Sequence, residues 1–155
     1  MSNKLTPRMI EIINTWRLGF VGTVTVGGHP NVSPNGTFVV LDDRTIAFGE
    51  IRAPHTVTNL VTQPEVAINF FNPLNRKAVR VHGKAELIRR GTGEFEALIP
   101  LYAEEWGALA EKINLIVKIP VTEAELLTSP AYDMGATEAE LVAIYKQKMQ
   151  DYVDD

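Results

Sequence analysis

The period of hydrophobic and polar positions changes several times along the chain, and each change marks an element. After Leu5, Thr6 offers a side-chain cap and Pro7 suits the first helical position, and Met9, Ile12, Ile13 and Trp16 then fall on one face of a 3.6-residue repeat. A short amphipathic helix with those four residues inward is predicted. From Gly19 the period is two: GFVGTVTV reads as a strand ending at Gly27-Gly28, a pair that accepts the positive φ angles of a tight hairpin. The return run PNVSPNGTFVVLDD carries conflicting signals, because Asn35-Gly36 favours a turn while Pro34 removes a ladder donor, and it is read as one bulged strand. TIAFGE is the next strand, and IRAPHTVTNLVTQP places Val57, Leu60 and Val61 at helical spacing between two prolines.

VAINFF reads as a buried strand, NPLN as a turn, and AVRVHGKAEL alternates, with Val79, Val81, Gly83 and Ala85 on one face and Arg80, His82, Lys84 and Glu86 on the other. Residues 93 to 112 are helical in composition with a break expected near Pro100, and NLIVKIPV is a further strand. The stretch from Glu123 to Ala136 is the longest candidate for an irregular loop. Thr137 and Glu140 then form a capping box ahead of a last helix to about residue 153, with Leu141, Tyr145, Lys148, Met149 and Tyr152 along one face. Five or six strands joined by hairpins, without βαβ alternation, favour a mainly β fold: an antiparallel barrel with peripheral helices. The 155 residues and the absence of a linker or repeat point to one domain, 1–155, with its core at about 15–120.

Composition narrows the chemistry. A 45% hydrophobic, 22% charged chain is that of an ordinary globule, not a disordered or fibrous one. Fifteen Lys+Arg against nineteen Asp+Glu give a formal charge of −4, so no global field draws in a nucleic-acid backbone, and any anion site is local. With no cysteine, disulfides, zinc ribbons and thiol nucleophiles drop out, and without a signal-type or membrane-length apolar run a cytoplasmic protein is the default expectation. The three histidines, 29, 55 and 82, lack ligand-like spacing, so no metal is expected, and Ser33 has no nucleophile-elbow context.

The strongest local signal is EIRAPHTVTN, where Arg52 and His55 flank a helix start that offers free backbone amides and the Thr56 hydroxyl. Such a start can hold a phosphate monoester; the plain alternative is that Pro54 and Thr56 only begin a helix while Arg52 is solvated. Arg80, His82 and Lys84 form a cationic stripe that either holds an anion or is a solvated strand face. Glu104, Glu105 and Glu111 read as a solvated helix face, and Tyr102 with Trp106 as core or as a stacking surface for a planar ligand.

GFVGTVTVGGHPNVSPNGTFVVLDDRTIAFGEIRAPHTVTNLVTQPEVAINFFNP, followed by RVHGKAEL, resembles the pyridoxamine 5′-phosphate oxidase-like FMN-binding split-barrel family over roughly residues 15 to 120, and SPAYDMG before a final helix is similar to one bacterial branch of it. The resemblance implies a six-stranded antiparallel split β-barrel with flanking helices, assembled as a homodimer with FMN in clefts between subunits. By motif position, Val32, Ser33, Pro34 and Asn35 would lie along the isoalloxazine ring with Gly49, Glu50 and Ile51 on the adjoining strand end. Arg52, His55 and Thr56, with Asn59 behind them, would hold the phosphate. Arg80 and His82 are further carry-overs, and SPAYD and Trp106 would come from the partner subunit. Many members place an Arg-Lys pair where this chain has Pro54-His55-Thr56, and often a Lys where it has Asn35, which implies phosphate binding that is weaker or organised around Arg52. The basic, aromatic C-terminal segment of true pyridoxamine phosphate oxidases is missing, so that reaction is not expected. An FMN-dependent oxidoreductase or flavin reductase, with NADH or NADPH as donor, is the first expectation, and catalysis would need no protein nucleophile. The alternatives are a flavin-storage or sensing protein, or a relative using a deazaflavin or, with His29 or His82 as axial ligand, haem.

Overall fold

The computed structural model describes residues 2–155. Thr6 accepts a hydrogen bond from Met9 N and caps α1 (Pro7–Trp16), whose Met9, Ile12 and Ile13 are buried as the repeat predicts. Trp16 departs from that prediction at 45% exposure, because the helix ends one residue later, at Arg17 in the left-handed region. β1 (Gly19–Val24) turns back into β2 (Pro30–Asn35) through a hairpin closed by Thr25 N donating to His29 O, with Gly28 at φ +83°.

The bulged strand predicted for residues 30 to 43 is instead two strands. β2 pairs with β1 without a register shift, the chain leaves the sheet at Gly36-Thr37, and β3 (Phe38–Asp42) begins a ladder with β4 (Thr45–Glu50). Pro34 is harmless because β2 is an edge strand and its outer side needs no ladder donor. α2 (Pro54–Thr62), β5 (Glu65–Asn72) and β6 (Lys77–Lys84) follow, and the alternating run through residue 87 divides at Ala85 into β6 and β7 (Glu86–Arg89). Gly83 sits at that division: a Cβ there would meet both Ile119 Cγ2 and Pro120 O at 2.5 Å, so only glycine lets β6 cross β8 so closely.

α3 (Gly93–Trp106) runs through Pro100 without a break and ends at Gly107, φ +57°, before a 3-10 helix over Gly107–Lys112. β8 (Leu115–Thr128) runs seven residues beyond the expected strand end at Val121, so the irregular segment shrinks to residues 129–136, ahead of α4 (Glu138–Asp154) and its capping box. The strand count is eight rather than six. All pairings are antiparallel, in the order β2-β1-β5-β6-β8-β4-β3, with β7 also on β8. β8 serves both halves: its first part pairs with β4 and β7, its second with β6.

The sheet curls into a split barrel whose terminal strands, β2 and β3, are joined by residues 36 and 37. Thr37 locks that joint to β4: its hydroxyl donates to Gly49 O at 2.6 Å, and Gly49 N donates back to Thr37 Oγ1 at 3.1 Å. Phe38, Phe48 and Phe70 meet inside, with ring centroids 5.1 and 4.7 Å from Phe38, and Leu5 together with Ile12 and Ile13 of α1 closes one end. Burying each such aromatic contributes about 1.5–3 kcal/mol. A second cluster of Phe95, Tyr102, Ile113 and Ile116 lies under α3. No described helix is long and apolar enough to cross a membrane.

Candidate functional site

β4 ends at Glu50, and the turn Ile51-Arg52-Ala53 delivers the chain into α2. Gly49 is dictated by packing, since a Cβ would lie 2.5 Å from Ile113 Cδ1. Glu50 is buried, and its Oε1 accepts from Ala53 N at 2.8 Å. Ala53 is the N-cap of α2 and provides no side-chain cap. The first intrahelical bond runs from Val57 N to Ala53 O at 3.1 Å, so the N–H groups of His55 and Thr56 precede it and have no partner within the helix.

Three side chains of the turn and first helical residues divide sharply by exposure. Arg52 and His55 are exposed, and Arg52 has no hydrogen bond or ion pair among the described residues. Thr56 is fully buried and its hydroxyl has no partner. One turn on, buried Asn59 donates from Nδ2 to Thr23 Oγ1 at 3.0 Å, which ties α2 to β1, and Gln63 Nε2 adds a bond to Thr25 O. Asn59 thus fixes where the helix start lies. A groove of about 640 Å³ runs past this start, lined by Glu50, Ile51, Arg52, Pro54, Val57 and Asn114 among others.

The β2 residues stand elsewhere. Cross-strand partners share a face, so Pro34 opposite Phe20 and Val32 opposite Gly22 lie on the outer face of the sheet, with Ala67 and Asn69 of β5 and Arg80 and His82 of β6 beside them. A second groove of about 430 Å³ lies there, with Gly22 and Ala67 as its small residues. Val32 is 66% exposed, and Arg80 contacts Glu125 at 3.5 Å. Ser33 and Asn35 are half-buried on the opposite side of β2, with Asn35 Nδ2 bonding Ser33 O.

A family model described as Pyridoxamine 5'-phosphate oxidase matches residues 5–145. The chain belongs to that family. Among solved structures, HupZ of Group A Streptococcus superposes with a TM-score of 0.70 at 26% identity over 81% of this chain and 95% of that one. HutZ, the heme storage protein of Vibrio cholerae, gives 0.65 at 19% identity over 81% and 94%. An FMN-binding protein of Syntrophomonas wolfei gives 0.63 at 14% identity over 78% and 84%. No curated protein sequence matches. The pyridoxamine 5′-phosphate oxidase family thus accounts for the fold, while the neighbours differ in what their names say they hold.

Several other polar side chains of this family member tie its elements together. Tyr132 of SPAYD donates to Asn75 O at 2.5 Å under the Lys77 ammonium, 5.0 Å from its ring, and so secures the approach to α4. Trp106 stacks on Tyr102 at 5.7 Å, and burial pushes the Tyr102 phenol, which has no partner, far above its ordinary range. Glu138 joins Lys77 and Arg8, whose hydrogen bonds hold its carboxyl below the usual range, and Lys118 between Glu94 and Glu86 is shifted up. Sequence reasoning missed Phe20, Gly22, Ala67 and Asn69 on the outer face and Asn114 beside Glu50. The alternation of β1 and β5 carried the signal for the first four; Asn114 is brought to the groove by its backbone bond to Glu50 O.

Proposed function

We propose that the protein binds FMN at the start of α2 and serves as an oxidoreductase of small molecules. The observation that carries this reading is the Thr56 hydroxyl, fully buried and without a partner in the first turn of a helix whose N-cap has no side-chain acceptor. A phosphate oxygen satisfies that hydroxyl together with the N–H groups of His55 and Thr56, and the helix dipole favours the anion. Arg52 adds a charge-assisted bond and His55 a further donor. Gly49 and Ile51, with the Glu50 backbone between them, and Val32, Ser33, Pro34 and Asn35, are assigned to the ring system, with Asn59 holding the helix in place and Arg80 on the adjoining sheet face.

When bound, the flavin supplies hydride or electron transfer. The residues of the chain bind and orient it and exclude water. No side chain serves as a nucleophile. One protomer does not gather the whole set, because Val32 and Arg80 lie on the outer face, away from the α2 groove. That face exposes Phe20, Val32 and Phe71, and a second copy of the chain is the proposed cover, forming a cytoplasmic homodimer with the ligand between its subunits. Anaerobic mixing of FMN-loaded protein with NADH or NADPH tests the activity. Bleaching of the visible flavin absorbance, restored by a second acceptor, is expected; FMN binding without bleaching by either donor defeats the oxidoreductase reading and leaves a flavin carrier.

A further inference from the structure

Glu50 is the only charged side chain among the buried described residues, at 6% exposure. It lies where the chain leaves β4 for α2, and it has no ion-pair partner among the described residues. Its contact is with backbone: Ala53 N donates to Oε1 at 2.8 Å. Glu50 thus takes up the N–H of the N-cap residue from three residues upstream, while the N–H groups of His55 and Thr56, which an N-cap side chain would serve, stay open. A buried carboxylate without a counter-ion is costly unless hydrogen-bonded, and the positive end of a helix is one of the few places where backbone alone offsets that cost. In the free protein α2 therefore already carries an anion at its N-terminus.

The same helix end is where the flavin phosphate is placed above. Thr56 offers an unpartnered hydroxyl there, and the N–H groups of His55 and Thr56 are open. Two anions would then share one helix terminus, Glu50 from within the fold and the phosphate from the groove that Glu50 and Arg52 both line. We propose that Glu50 sets the strength of phosphate binding: its carboxylate holds α2 formed while the site is free and opposes the dianion when the ligand arrives. A flavin held this way is exchangeable, entering and leaving as a substrate does. The inference rests on the flavin reading and adds to it a residue whose two effects have opposite signs.

Glu50→Gln separates those effects, since the amide oxygen still accepts from Ala53 N while the charge is gone. Titration by flavin fluorescence, with FMN and with phosphate-free riboflavin as probes, is expected to show FMN binding about three- to tenfold tighter and riboflavin binding moved by less than about twofold, the range of charge effects at a helix terminus. FMN release slows, while the melting temperature without flavin falls. A purely structural Glu50 would weaken both. Should the Gln variant fail to fold, Glu50→Ser keeps a neutral acceptor and is read the same way. FMN affinity unchanged or weakened in the variant, with normal binding by the parent, overturns this inference alone. Failure of the parent to bind either flavin overturns the flavin reading, and this inference with it.

Discussion

Arg52→Ala removes a side chain that does nothing for the free protein. Arg52 is exposed and makes no hydrogen bond or ion pair among the described residues, so its truncation should leave stability within about 0.5 kcal/mol of the parent. Toward a bound phosphate the same guanidinium makes a charge-assisted hydrogen bond worth about 1.5–3 kcal/mol, and its exposure puts it at the lower end of that range. About 1.4 kcal/mol is a factor of ten, so FMN affinity should fall about tenfold. Riboflavin, which lacks the phosphate, should bind parent and variant alike. Added salt should weaken FMN binding by the parent more than by the variant, because one screened charge has been removed. Fluorescence titration of both flavins at two ionic strengths reads all of this. Equal FMN affinity in parent and variant, or an equal loss for riboflavin, would refute the assignment of the phosphate to this turn.

Thr56→Val deletes an unpartnered buried hydroxyl, so thermal unfolding of the free protein should be unchanged or shifted up, by as much as about 1 kcal/mol, while FMN affinity drops; a destabilised variant would mean the hydroxyl has a partner. Gly83→Ala should destabilise by about 1–3 kcal/mol and more than Gly49→Ala, because its Cβ meets the Pro120 carbonyl as well as a side chain, whereas at Gly49 only Ile113 stands in the way; urea unfolding that ranks them the other way contradicts the crossing geometry of β6 and β8. Glu138 bonds Lys77 and Arg8, which lowers its folded-state pKa below the ordinary 4.5. Its contribution is therefore present above that value and lost as pH falls through the lower folded one, and Glu138→Gln should flatten the acid limb of a melting-temperature profile. An unchanged acid limb would show that the cluster gives α4 nothing.

Local chemistry was legible wherever one segment decides its own structure. Thr6-Pro7 and the Thr137/Glu140 box set two helix starts within a few residues, and Gly27-Gly28 marked the first hairpin. What stayed hidden depends on a distant segment. The break at Gly36-Thr37 looks like a bulge in the sequence, and only the bonds from Thr37 to Gly49 reveal that the chain passes there between the two edges of the barrel. The alternation from Ala78 to Leu87 continues through residue 85, and the division into β6 and β7 follows from the close crossing of β8 at Gly83. Pro100 suggested a helix end because of its missing donor, yet α3 continues with Pro100 on the exposed side, where water can serve the freed carbonyl. At the candidate site, the helix start and its exposed Arg52 were readable. The inward turn of Asn59 to Thr23 and the burial of Glu50 were not, because both depend on where β1 and Ala53 lie in space.

The proposed phosphate site of FMN is the start of α2. Its most direct test is the absorption spectrum of the purified protein before and after adding FMN, followed by heat release and mass identification of whatever is bound. A flavin spectrum with release of FMN, or uptake of added FMN that excess inorganic phosphate competes against and Arg52→Ala weakens about tenfold, is the predicted result. A protein that takes up no flavin, or whose chromophore is a haem, would contradict it.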